Sequence, residues 1–547
     1  MKIGFFLGYS PRTKFSNQGL GRQFVHLVEG FQSFTKEPVV IICPAWLRSE
    51  VSGLFSTLPP GSVEIIGNKH IPPLLRAYLR FRPVVSAASG DGALKRVVKR
   101  GRSAYLRARR ALGAALTRGL ASESLPVVAL TVLLSLLVVA VAVPILAPLT
   151  LIAAFIVGMG YLGHRYRWGE RPLQIVKEAI PQLRLRLMQF EGERPPSIRR
   201  LIYDRISSRE LERMMVEMQK RADIDIWYSP TIFWPAVNSA PVPTVQCFPD
   251  LMMADFPTSF AVNYPSSMAQ FRQAQLAVQT GKHFIAYSHA TAKSGLQDRY
   301  DIPAERIHVI PHAPIDLEPL IAVRGTLDDA YARRKFATNL IEGHRNVRWQ
   351  GNEYLKNFSF ADTQYLFYAS QLRPNKNALN LVKAYEILLR ERYKYVKLIL
   401  TANLADDHEL HDYIYRRRLQ YDIITAHDVP PQVLAALYHR AELAVNPSLF
   451  EGGMPFTFSE ALSVGTPVVM SRIPQTTEVL GTGELADLSL FDPLSPIDIA
   501  DKMSFGLQNR HILLEHQMAA YQNLKARTWQ NVAEDHISAF QRILASA

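Results

Sequence analysis

Cysteine is nearly absent. The two in 547 residues, Cys43 and Cys247, both stand among apolar neighbours. That excludes a disulfide framework and a cysteine zinc site, and it fits a reducing compartment. No secretory leader is legible either. The opening Met1-Lys2-Ile3-Gly4-Phe5-Phe6-Leu7-Gly8-Tyr9 is too short for an apolar signal core and lacks a small-residue cleavage site. It reads as the first strand of a domain. No Asp-x-Asp stands in a suitable loop, so no catalytic metal is expected, and nothing marks a cofactor site.

Two further absences are local. Residues 95–118 hold no acidic residue but carry Lys95, Arg96, Lys99, Arg100, Arg102, Arg107, Arg109, Arg110 and Arg118. Residues 125–163 hold no charge at all. Much of the formal net charge of +14 therefore gathers beside an apolar run. That favours anionic membrane lipids over nucleic acid as its partner. About 20 apolar residues cross a bilayer core. Pro144 and Pro148 divide the run into arms at 125–143 and 149–163, and His164, Arg165, Arg167 and Arg171 follow. Basic flanks at both ends keep both on the cytoplasmic side, which a helical hairpin satisfies and a single crossing does not. The expectation is an inner (plasma) membrane protein whose other domains lie on the cytoplasmic side. Its hairpin either spans or dips. The competing reading is a buried helical pair inside a soluble domain.

What is present is alternation. Apolar runs at 2–9, 39–43, 63–66, 225–228, 242–247, 283–288 and 307–311 read as strands separated by helical patterns. The pattern resumes with 365–369, 396–401, 443–445 and 467–470. Such alternation predicts α/β architecture with parallel sheets. Residues 317–360 between the two sets read as charged and irregular.

The most informative stretch is Asn446 to Met470. A short apolar strand ends at Asn446-Pro447, and a loop with Glu451, Gly452 and Gly453 follows. Pro455 then opens a helix that carries Glu460 and breaks at Gly465 before the next strand. Freed amides at the helix start suit an anion, and the carboxylates suit neutral hydroxyls of the same ligand. Together these describe a nucleotide sugar. On geometry alone, an ordinary crossover with a solvated Glu460 fits as well.

The stretch resembles the signature of the retaining GT-B glycosyltransferases of family 4 (glycosyl transferases group 1), of the membrane-anchored bacterial polysaccharide type. In that family two glutamates, the second followed by Ala, and a Gly-Thr-Pro-Val-Val run close over the donor. Glu451, Glu460-Ala461 and Gly465-Thr466-Pro467-Val468-Val469 match, with the glutamates one residue further apart. The resemblance implies a catalytic Glu451, a donor cradle at Gly452, Gly453 and Met454, and a ribose contact at Glu460. It also implies diphosphate binding by Lys376, and by Arg373 because Gln371 stands where the family's first cation lies. Gly19 and Gly21 match a Gly-rich loop facing the donor phosphates. Asp250 matches the family's strand-end Asp near the acceptor, with Pro249 where a His is usual. The plainer alternatives are a tight turn at 19–21, a turn carboxylate at 250 and an exposed loop lysine at 376.

The expected fold is GT-B, two Rossmann-like domains facing a cleft, with a helical membrane hairpin inserted in the first. The divisions are 1–318 (insert 90–170, hairpin 125–163), a linker at 319–360, a nucleotide-sugar domain at 361–528, and a helix at 529–547 crossing back. The implied reaction moves a hexose, mannose the first guess, from a GDP- or UDP-linked donor with retention. The acceptor would be a lipid-linked (polyprenyl-diphosphate) saccharide. The rival classes are another GT-B enzyme, such as an epimerase or phosphorylase, and a non-catalytic membrane-tethered sugar-nucleotide binding protein.

Overall fold

A computed structural model describes residues 1–11, 19–80, 122–135 and 198–546, apart from 36, 57, 123, 125, 251, 264–266, 349–352, 357, 405–406 and 428. Most of the expected hairpin and its basic flanks at 95–118 and 164–171 lie outside the described residues. Residues 126–135 are helical. No helix among the described residues is long and apolar enough to cross a membrane.

The first sheet holds seven parallel strands: β1 (Ile3–Phe6), β2 (Val39–Ile42), β3 (Val63–Ile66), β4 (Ile226–Ser229), β5 (Thr244–Phe248), β6 (His283–Ala286) and β7 (Ile307–Val309). The second holds six, likewise parallel: β8 (Tyr365–Tyr368), β9 (Lys397–Leu400), β10 (Ile423–Thr425), β11 (Leu443–Asn446), β12 (Val468–Ser471) and β13 (Leu490–Phe491). Helices cover both faces, so strands such as Val39-Val40-Ile41-Ile42 are apolar throughout and fully buried. The order β3-β2-β1-β4-β5-β6-β7 reverses direction between β1 and β4. The order β10-β9-β8-β11-β12-β13 reverses between β8 and β11. Ligand crevices open at the strand ends beside such reversals.

The expected irregular linker is instead part of the second domain. Residues 317–360 contain the helix Asp329–Arg348, which packs on the helix Pro431–Arg440. Leu317, Ile321, Ala337, Ile341, Leu355 and Phe360 join the second core. The helix hides in the sequence because a charged exterior, including Arg334 and Lys335, leaves only a narrow apolar stripe. Asp329 closes its start, accepting from the backbone N of Thr326 at 2.7 Å.

The chain crosses between the domains twice, once after β7 and once before the helix Trp529–Ser546. The crossings are tied together: Arg527 donates to the Pro311 carbonyl at 2.8 Å, and Lys525 pairs with Asp316 at 3.0 Å. The terminal helix packs along Gly19–Phe34, where a Cβ at Gly30 would lie 2.5 Å from that of Ala533. Both cysteines are buried and free, and burial pushes both thiols up to about 12, which leaves neither as a nucleophile at neutral pH.

His536 on the terminal helix sits among Phe31, Tyr228 and Phe540. Its Nδ1 donates to the Val532 carbonyl at 2.7 Å, while Nε2 is buried with no hydrogen-bond partner. Burial pushes its pKa down to about 4, well below the ordinary imidazole value of about 6.5. The folded state thus binds fewer protons than the unfolded chain below pH 6.5. Stability from the neutral ring is intact above that pH and lost as pH falls toward 4, about 3 kcal/mol in total. His536→Gln is expected to remove about one proton of slope from the stability profile over this window, measured by urea unfolding. His308, also pushed down to about 4, would supply part of the slope that remains. An unchanged slope would show that His536 is not the buried acid sensor.

Candidate active site

The loops leaving β8 and β11 emerge side by side at the second reversal point, and asparagines bind them together. Leu449 N donates to the Asn375 carbonyl at 2.7 Å, and Asn375 Nδ2 to the Phe450 carbonyl at 3.2 Å. Asn377, in the left-handed region at φ 54°, donates to the carbonyls of Pro447 and Pro493 at 3.0 and 2.7 Å. Asparagine tolerates that conformation better than most residues. The sequence Arg373-Pro374-Asn375-Lys376-Asn377 thus folds as a single 3-10 turn whose flanking amides fix Lys376. Its ammonium pairs with the Glu451 carboxylate. Gln371 receives a hydrogen bond from Arg373 at 3.1 Å and so steadies the neighbouring cation.

The first domain supplies the opposite wall. Asp250 lies just beyond β5. Burial pushes its carboxyl above the ordinary range, Arg373 and Lys376 pull it back, and Glu451 adds to the rise. A Cβ on Gly452 would collide with the Pro249 carbonyl of that wall. One on Gly453 would press within 3.0 Å of the Tyr287 side chain. Gly452 is therefore demanded by contact with the opposite domain, and Gly453 is packed closely against it. Asp250, Arg373, Lys376, Glu451, Gly452 and Gly453 gather in one place.

His312, at the end of β7, also belongs there and was not expected among the site residues. Its ring lies 4.2 Å from that of Phe456, and its Nδ1 3.1 Å from the Ala313 carbonyl. Burial lowers its pKa, against the pull of the Ala313 and Met454 backbone, so the ring is neutral at pH 7. Met454 thereby meets the first domain through its backbone. In the sequence it is no more than an imidazole three residues beyond β7, with no motif to mark it. Gly19 and Gly21 lie in the first turn of the helix Gly19–Phe34, and residues 12–18 before them lie outside the described residues. Gln23, two residues on, accepts from the Tyr287 hydroxyl at 3.2 Å, which links this helix start to the Gly453 wall.

Glu460 is placed differently. It is 4% exposed on the helix Phe456–Ser463, and its Oε2 accepts from the Tyr438 hydroxyl at 3.0 Å. Pro455 is the residue before that helix rather than its first.

An ammonium, a guanidinium and two carboxylates meet glycine amides where two parallel domains face each other. Residues 353–527 match the family model of glycosyl transferases group 1. Within the chain, 144 residues are 33% identical to O-antigen chain mannosyltransferase B of Escherichia coli. That alignment covers 26% of this chain and 37% of the relative, so the chain spans little more than a third of its length. The N-terminal domain of Candida albicans trehalose-6-phosphate phosphatase has a similar fold, at TM-score 0.52 and 12% identity. The likeness covers 99% of this chain and 96% of that one. The glycosyl transferases group 1 segment thus holds Arg373, Lys376, Glu451 and the glycine pair. Asp250, Tyr287 and His312 come from outside it.

Because Lys376 already holds Glu451, an anion arriving at Lys376 must compete with that carboxylate. Glu451→Gln is expected to tighten binding of pyrophosphate or a nucleoside diphosphate, and Lys376→Ala to weaken it by about 1.5–3 kcal/mol. Titration calorimetry reads both. Equal weakening in the two variants would sink the assignment of opposed roles.

Proposed function

We propose that the protein is a retaining GT-B hexosyltransferase that moves a sugar, mannose the first candidate, from a GDP- or UDP-linked donor to a lipid-linked saccharide. The observation that carries this reading is the Lys376–Glu451 pair, held at the domain junction inside the glycosyl transferases group 1 segment. The mannose assignment leans on the likeness to an O-antigen chain mannosyltransferase, and the lipid acceptor on the apolar run at 125–163.

In this reading Lys376 and Arg373 take the donor diphosphate and stabilise the charge it gains as the glycosidic bond breaks. Binding draws Lys376 off Glu451, whose carboxylate then accepts from hydroxyls of the transferred sugar. Asp250, with its raised pKa, contacts the acceptor hydroxyl. The departing phosphate takes the proton from that hydroxyl on the same face of the sugar, which gives retention. Closure of the two walls keeps water out, so that the sugar reaches the acceptor. The chain needs no metal for these steps.

The hairpin remains part of the proposal, on the cytoplasmic face of the inner membrane. Among residues 126–135, Val127, Leu130, Val132, Leu133 and Leu134 are 40–59% exposed. The two hydroxyls among them turn inward: Thr131 donates to the Val127 carbonyl at 2.7 Å and Ser135 to that of Thr131 at 2.6 Å. A helix that is apolar on every face and satisfies its own hydroxyls suits hydrocarbon.

The test is turnover of GDP- and UDP-sugars by the purified protein, with and without a polyprenyl-diphosphate saccharide. Transfer with retention is expected, and its complete lack across that set would end the reading. Replacing residues 125–163 with a short Gly-Ser linker is expected to release the protein from membranes and leave donor binding intact. Transfer to the lipid acceptor should fall sharply. Undiminished sedimentation with membranes would show that the anchor lies elsewhere.

A further inference from the structure

The domain junction contains a polar network that neither domain needs for its own core. Ser288 opens the helical run at 289–300 in the first domain, its hydroxyl accepting from Thr291 N at 3.1 Å. The same hydroxyl donates across the cleft to the Gly452 carbonyl at 2.9 Å. Thr291 Oγ1 donates to that carbonyl too, at 2.8 Å, and accepts from Gln475 Nε2 of the second domain at 3.2 Å. Ser288, Thr291 and Gln475 are 4%, 0% and 1% exposed. At the helix start, the backbone N of His289 and of Ala290 each donate to the Glu478 carboxylate of the second domain at 3.0 Å.

Three features make this more than a generic contact. Both hydroxyls converge on one carbonyl, and that carbonyl belongs to the residue after Glu451. Each hydroxyl hydrogen has a single acceptor, so the pair is fully used only while the domains are docked. Gly452 also lacks a side chain where one would strike Pro249. Its identity is thus set by the docked state.

Resting on the transferase reading above, we infer that Ser288 and Thr291 are positioning residues for Glu451, acting through the Gly452 carbonyl. Glu478 is their counterpart, docking the second domain on the helix start. The Glu451 loop reaches its working geometry only when the first domain is against it. Donor binding and loop assembly are then separate events, the first carried by Lys376 and Arg373 within one domain, the second needing both.

The experiment compares Thr291→Val, Thr291→Ser, Glu478→Ala and Gly452→Ala in the full chain. Wild-type turnover is measured first, because its lack would remove the transferase reading rather than the inference. Given turnover, Thr291→Val is expected to lower kcat about tenfold, one hydrogen bond's worth, with donor KM and GDP or UDP binding unchanged. Thr291→Ser should restore the rate, since it keeps the hydroxyl. Glu478→Ala changes an exposed side chain that no core depends on. It should lower kcat likewise and raise the radius of gyration in small-angle X-ray scattering. Gly452→Ala should do both more severely. Wild-type kcat and scattering in Glu478→Ala, or a Thr291→Ser rate as low as that of Thr291→Val, would overturn the inference.

Discussion

The carbonyl of Gly452 accepts hydroxyl hydrogens from Ser288 and Thr291 of the opposite domain, while the carbonyl of Pro249 leaves no room for a side chain at the same residue. The rest of the cleft is placed relative to that contact. It fixes the loop bearing Glu451, the loop meets Lys376 through Asn375 and Asn377, and the cations then lie close enough to Asp250 to perturb its titration. Only the junction turns two strand-end loops into one charged site.

Much of this was legible in the sequence, for reasons that can be named. Parallel strands covered on both faces must be apolar at every position, so β2 at Val39–Ile42 and β8 at Tyr365–Tyr368 announce themselves. Glu451 and its glycines were singled out through the resemblance of residues 446–470 to the family signature, since geometry alone fitted an ordinary crossover as well. β10 at Ile423–Thr425 was not recognised: three residues with a polar end carry too little periodicity. The helix Asp329–Arg348 was hidden by its charged outer face.

Within the site, the limit was reach along the chain. His312 and Tyr287 lie far from Glu451 in sequence and join it through topology, which no local pattern encodes. Glu460, the expected ribose contact, stands one residue further from Glu451 than in the family's motif, and its Oε2 accepts from the Tyr438 hydroxyl.

The terminal helix has a consequence for synthesis. Phe31 and Tyr228 of the first domain are covered by Phe540 and His536, contributed by a helix that follows the whole second domain in sequence. On the ribosome that apolar face stays exposed while the whole second domain is made and can fold. The first domain, begun before the second, is therefore finished after it. Truncated or stalled chains should be the aggregation-prone species and the ones chaperones hold.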